Sequence, residues 1–127
     1  MNFPKDLMYS KDHEWLKSAS DGTALIGITD FAQNQLGDLV FVNLPQVGDA
    51  LTMDEPLGDV ESVKAVSDVL SPVSAVVKAV NEELLDNPAK INQAPYEAWF
   101  VKVESIKEHT NLMDAQAYEK HCAEQEK

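Results

Sequence analysis

Short apolar or alternating runs, each of strand length and bounded by turn residues, recur along the chain. They lie at Glu14 to Lys17, Thr23 to Ile28, Leu39 to Leu44, Leu57 to Val63, Val66 to Leu70, Val73 to Val80 and Trp99 to Val103. Asp21-Gly22, Gly37-Asp38 and Gly48-Asp49 punctuate them. Thr29 to Leu36 has helical spacing, with Thr29 or Asp30 as cap and Gly37 as stop. Asn81 to Leu85 predicts a further helical turn ended by Pro88, and the tail from Asp114 to about Cys122 predicts a helix with Asp114 as N-cap and Ala117, Tyr118 and His121 on one stripe. The sum is a mostly β fold, sandwich or barrel, with peripheral helices. At 127 residues the expectation is a single domain spanning 1–127, long enough to bury a core without a disulfide or metal staple.

Charge narrows the functions open to such a domain. Twenty-two carboxylates face ten cations, all of them lysine, for a net charge of −12. Without arginine the chain lacks the planar donor fork that grips phosphate, and its charge opposes nucleic acid and anionic membrane as partners. An acidic body suits a small protein that docks into basic clefts of larger ones. The only cysteine, Cys122, cannot form an internal disulfide, and His121 beside it in sequence does not make a nucleophile. Lys5 and Asp6 sit where a secretory leader would need apolar residues, so an unexported, cytoplasmic protein is expected. No catalytic constellation and no metal-ligand spacing emerges: His13 and Glu14 are adjacent, and adjacent strand residues point to opposite faces.

Between residues 18 and 77 there is one cation, Lys64, among nine carboxylates. The chain around it is symmetric. Folded between Lys64 and Ala65, Val63 meets Val66, Ser62 meets Ser67, Glu61 meets Asp68 and Val60 meets Val69, the matching that antiparallel pairing produces. This predicts a hairpin over about 57–71 with Lys64 and Ala65 as its two turn residues. Lys-Ala lacks the glycine or asparagine favoured in primed turns, and Glu61 opposite Asp68 is a like-charge pair. Local rules broken together point to function. A lysine at a hairpin tip inside an acidic collar has the exposure that an attachment point for a lysine-modifying enzyme needs, and an inert surface lysine is the alternative reading. Direct catalysis by the amine is disfavoured, because carboxylates favour its charged form.

These residues resemble a known family. Glu61 to Ala65 (ESVKA), followed by Ser67 to Ser74 (SDVLSPVS), is similar to the lipoylation hairpin of glycine cleavage system H proteins. Tyr9 to Trp15, Gly27 to Gly48 and Val80 to Tyr96 resemble three further blocks of that family in the same order. The resemblance implies a flattened barrel or sandwich-like hybrid of two β-sheets of the lipoyl/biotinyl type, with short peripheral helices and a C-terminal helix. It implies a carrier and not an enzyme, with lipoic acid joined by an amide to Lys64. Glu61, Ser62, Val63, Ala65 and Asp68 are then the expected recognition residues for the modifying enzyme, and Glu14 the expected contact for the aminomethyl-loaded arm.

The partners implied are glycine decarboxylase, a pyridoxal-phosphate enzyme that loads the arm; a folate-dependent aminomethyltransferase; dihydrolipoyl dehydrogenase; and a lipoate-attaching ligase or octanoyltransferase. Alternatives are a related lipoate-binding carrier in sulfur oxidation, a lipoyl relay to other complexes, a biotinyl carrier and a binding module with an inert lysine. Biotinyl domains usually set the lysine between methionines, which Val63 and Ala65 do not match. Two positions depart from the family pattern: Ala75 replaces a glycine, and Glu97-Ala98 shortens a stretch that usually ends in glycine before Trp99. Loss of access to positive φ predicts two reshaped turns there.

Overall fold

A computed structural model describes residues 1–125. Nine strands and four helices follow in order: β1 (Met8–Tyr9), β2 (Glu14–Ser18), β3 (Ala24–Ile28), α1 (Asp30–Leu36), β4 (Leu39–Asn43), β5 (Ala50–Leu51), β6 (Pro56–Ser62), β7 (Val66–Leu70), β8 (Val73–Val80), α2 (Glu83–Asp86), α3 (Ala89–Gln93), β9 (Val101–His109) and α4 (Ala115–Gln125). The strands form two antiparallel sheets that do not close on each other, one of six strands in the order β1-β2-β3-β9-β8-β5 and one of three in the order β4-β6-β7. Among the described residues no helix is long and apolar enough to cross a membrane.

Strand alternation sends one apolar face of each sheet into a shared core. Leu16, Ile26, Val101 and Val103 from the larger sheet pack with Leu39, Val42, Val60 and Val69 from the smaller. On the far side of the larger sheet a second cluster holds Leu7, Tyr9, Trp15, Phe31, Ala115, Tyr118 and Cys122, so α4 is fastened through its Ala115, Tyr118 and Cys122 stripe. Tyr9 stacks on Tyr118 with ring centroids 4.6 Å apart. Ala117, expected on the buried stripe, is exposed. Asp114 caps α4 as expected, accepting from the Ala117 amide at 2.8 Å. Trp15 pairs with Gly27 across β2 and β3; a Cβ at Gly27 would lie 2.7 Å from the indole ring, so the bare backbone makes room for it.

Several elements differ from expectation for local reasons. Pro88 begins a helix instead of only ending one, because its missing N–H is no loss at a helix start. β9 runs on to His109 through an exposed polar stretch, with Ser105 at φ 53 where the pairing with β8 shifts register. The two-residue strands β1 and β5 are too short to show a period. Ala75 is an ordinary buried strand residue paired with Leu51, and Ala98 is buried with its amide donating to the Ala94 carbonyl. Neither has positive φ, so the reshaped turns expected at these alanines do not depend on that backbone region.

Candidate functional site

Lys64 stands exposed at the β6–β7 hairpin tip, as the symmetric chain around it predicted, but the hairpin is paired one residue differently. Glu61 faces Val66, Val60 faces Ser67 and Asp59 faces Asp68, so the mirror pairing expected from the sequence is corrected. Ser62 N–H donates to the Ala65 carbonyl at 2.7 Å, which leaves Val63 and Lys64, not Lys64 and Ala65, as the central turn residues. None of the four residues from Ser62 to Ala65 has positive φ, so the turn needs no glycine. The Ser62 hydroxyl does the work of a turn carbonyl instead. It accepts from the Ala65 amide at 3.1 Å and the Lys64 amide at 3.3 Å, and donates to the Ala65 carbonyl at 3.2 Å. Burying Val60, Ser62 and Val69 inward while Glu61 and Val66 face out fixes this register.

Of the residues expected around Lys64, the fold brings Glu61, Ser62, Val63 and Ala65 to the tip. Asp68 lies on the outer face further along, opposite Asp59, whose carboxylate accepts from Asn43 Nδ2 at 2.8 Å. Gly58 supports this pairing: a Cβ there would strike the Asn43 carbonyl. The Val63 amide donates to the Asp38 carbonyl at 3.3 Å, binding the tip to the loop that ends α1. Asn92 of α3 holds that loop, donating to the Gly37 carbonyl and accepting from the Leu39 amide, both at 2.9 Å. Asn92 was not legible as a site residue, since nothing in its neighbours says that α3 meets this loop.

Glu14 is not at the tip. It lies on the core-facing side of β2, paired with Ile28, and is 4 % exposed. Both Glu14 and Trp15 are buried, because each face of β2 is covered. The Glu14 carboxylate accepts from the Ser10 hydroxyl at 2.7 Å and from the Leu70 amide at the far end of β7. Desolvation outweighs these hydrogen bonds and pushes its pKa up to about 8. Beside it His13, at φ 74 in the β1–β2 turn, sets Nδ1 2.7 Å from the Tyr118 hydroxyl and Nε2 2.6 Å from Gln125 Oε1. Burial lowers its pKa, and the neutral ring donates through Nε2 to Gln125, an oxygen that only accepts.

A cleft of about 260 Å³ runs between α1, at Phe31, Ala32 and Gln35, and Ser67 on the inner face of β7, with Asp12 and His13 also lining it. It therefore connects the tip end of the Lys64 hairpin with the Asp12-His13 turn that precedes Glu14. A hollow of about 480 Å³ over Phe3 and the start of α4 is larger, but no hairpin residue lines it.

Comparison with known proteins agrees with this geometry. The family profile described as Glycine cleavage H-protein matches residues 7–125. A glycine cleavage system H protein of Lachnoclostridium phytofermentans is 54 % identical over 119 residues, covering 94 % of each chain. One from a Geobacillus species is 52 % identical over 127 residues, covering 98 % of this chain and 99 % of its own. A crystal structure of a glycine cleavage system H protein from Mycobacterium marinum superposes with a TM-score of 0.91 at 39 % identity, covering 95 % of this chain and 99 % of that one. A hairpin lysine in an acidic setting, a two-sheet fold and matches along nearly the whole length converge: the chain belongs to the glycine cleavage H-protein family.

Proposed function

We infer that Lys64 is the lysine to which this carrier's lipoyl group is attached. Members of the family are non-catalytic lipoyl carriers of the glycine cleavage system, and the chain acts with the other components of that system. The observation that carries the assignment is the position of Lys64: exposed at a turn whose backbone is tied down by Ser62 and Asp38. The residues present fit lipoate, since a rigid base with a free amine lies next to a cleft that could shelter the arm. When attached, the lipoyl group supplies a dithiolane that takes up and releases the carried group.

The chain's own residues supply placement and shelter. Ser62 and Asp38 fix where the tether leaves the body; the acidic collar of Glu61 and Asp68 sets the charge that an approaching enzyme meets. Along β7, Val66 to Leu70 spans roughly 13 Å. Glu14 thus lies at the other end of the strand that starts beside the tether, a separation suited to the long arm. In its buried, neutral state Glu14 is a hydrogen-bonding group. A cation brought beside it favours the carboxylate, so Glu14 is the proposed contact for the amine end of the carried group. The specific partners proposed are glycine decarboxylase, a folate-dependent aminomethyltransferase, dihydrolipoyl dehydrogenase and a lipoate-attaching ligase or octanoyltransferase.

Glycine–bicarbonate exchange with purified glycine decarboxylase tests this reading. The lipoylated chain should support exchange, and the Lys64→Arg variant taken through the same lipoylation reaction should not. Equal exchange by the two would refute the assignment.

A further inference from the structure

On the outer face of the three-stranded sheet, Phe41, Glu61 and Val66 stand side by side across β4, β6 and β7. Phe41 is 51 % exposed and Val66 63 %; Val63, at the tip beside Lys64, is 80 % exposed. Single exposed apolar side chains are common, but here two on the edge strands β4 and β7 flank Glu61 in one cross-strand row, with Val63 beyond them at the tip. Left bare, such a strip on edge strands invites association. Its border is acidic: Glu61 interrupts it, Asp59 and Asp68 form the next cross-strand row, and Asp38 is bonded to the Val63 amide. Nothing in the core needs Phe41 on that face.

We propose that this strip, Phe41 and Val66 flanking Glu61 with Val63 at its end, is the docking surface for the enzyme that acylates Lys64, and that this enzyme presents an apolar strip bordered by lysine or arginine. The proposal rests on Lys64 being the attachment lysine. Three features favour this occupant. The acylating enzyme meets the carrier before any arm exists, so it must read the protein surface beside the amine, whereas later enzymes can take hold of the arm. The strip is contiguous with Lys64. It also lies on the opposite face of the sheet from the cleft, whose β7 residue, Ser67, faces inward with Val60; the strip is therefore open wherever the arm lies. Charge complementarity sets the partner's border, because Lys64 is the only cation between residues 18 and 77.

In the reaction, the Lys64 ammonium loses one proton to water, the lone pair so freed forms a bond to the carbonyl carbon of an activated acyl donor, an acyl adenylate or acyl thioester, and a second proton then passes from the nitrogen to water or to the leaving group. The bond from that carbon to the adenylate or thiolate breaks, and the leaving group keeps the electron pair. Docking through the strip lowers KM for the carrier without touching the reacting atoms.

The test is lipoylation by a purified lipoate-attaching ligase with lipoate and ATP, followed by intact mass and by peptide mass at Lys64. Phe41→Ser combined with Val66→Thr should lower kcat/KM for the carrier at least about tenfold, mainly through KM, with the thermal midpoint unchanged. Val47→Ser, which removes an exposed valine outside the strip, should leave it unchanged. Val66→Thr alone keeps a β-branched strand residue and should cost at least about threefold, so the claim does not depend on the double variant folding. Lys64→Arg carrier should inhibit competitively, and lose that inhibition when Phe41 and Val66 are also replaced. Wild-type kcat/KM in the Val66→Thr or double variant, with the wild type acylated at Lys64, overturns the docking surface and leaves the attachment site standing. Absence of acyl mass at Lys64 in the wild type overturns the attachment site itself.

Discussion

The Val63 amide donates to the Asp38 carbonyl across 3.3 Å, and through this bond the hairpin that presents Lys64 is anchored to the loop closing α1. Gly37 beside it is at φ 81, a conformation open to glycine, and a Cβ there would come within 3.7 Å of Lys64 Cε. The backbone of the tether is thus held while its amine stays in solvent, which is what a carrier arm requires.

Asn92 should matter to this anchoring from a different element. Asn92→Ala removes the hydrogen bonds to the Gly37 carbonyl, the Gln33 side chain and the Leu39 amide. The expected cost is about 1–3 kcal/mol in unfolding free energy. Amide exchange at Val63 should also quicken, and NMR-detected exchange on wild type and variant checks both the direction and the location.

Ser62→Ala removes the hydroxyl that serves the Lys64 and Ala65 amides. Ser62 itself is buried although the tip around it is exposed, so water replaces the hydroxyl incompletely and the expected cost is about 1–3 kcal/mol. The larger effect should be on lipoylation, since a misplaced amine loses rate steeply. Single-turnover acylation at saturating ligase separates that loss from weaker docking.

Trp15 and Lys64 should differ sharply in stability. Trp15→Ala empties the space over Gly27 and is expected to cost roughly 3–5 kcal/mol. Lys64→Ala changes an exposed turn and should stay within about 0.5 kcal/mol. Denaturant unfolding of both variants measures this, and a Lys64 cost above that of Trp15 would contradict an exposed tether.

Glu14 predicts a pH dependence with a definite sign. Its pKa is pushed from the ordinary 4.5 up to about 8 by burial, so between those values the native state holds a proton that the unfolded chain has released. Stability should therefore fall as pH rises through that window and level off above about pH 8. Glu14→Gln, neutral throughout, should lack this decline and be the more stable protein at pH 8.5 and above. Unfolding free energies from pH 5 to 9 provide the check, and parallel curves for the two proteins would contradict it.

The sequence made the longer strands, α1 and the exposed lysine legible because each is a local matter: alternation, a threonine cap, a glycine stop, a symmetric series about one cation. The hairpin's register was not, since the symmetric Val-Ser-acid series around Lys64 allowed two alignments. What decides between them is the burial of Val60, Ser62 and Val69 against the other sheet. Glu14 was legible as a site residue only through family resemblance. Its burial depends on Ser10 and on Leu70 of the other sheet, contacts between segments far apart along the chain. Phe41 read as an ordinary strand residue, and only the cross-strand row with Val66 shows that it faces out beside the tether.

The most direct test of the whole account is residue-level mass mapping of the lipoylated protein. The chain and its Lys64→Arg variant are each exposed to ligase, lipoate and ATP, digested, and every lysine-containing peptide is weighed. The account predicts one lipoyl group per wild-type chain, on Lys64, and none on a folded Lys64→Arg chain. A lipoyl group on any of the other nine lysines in that variant, or an unmodified Lys64 in the wild type, would contradict it.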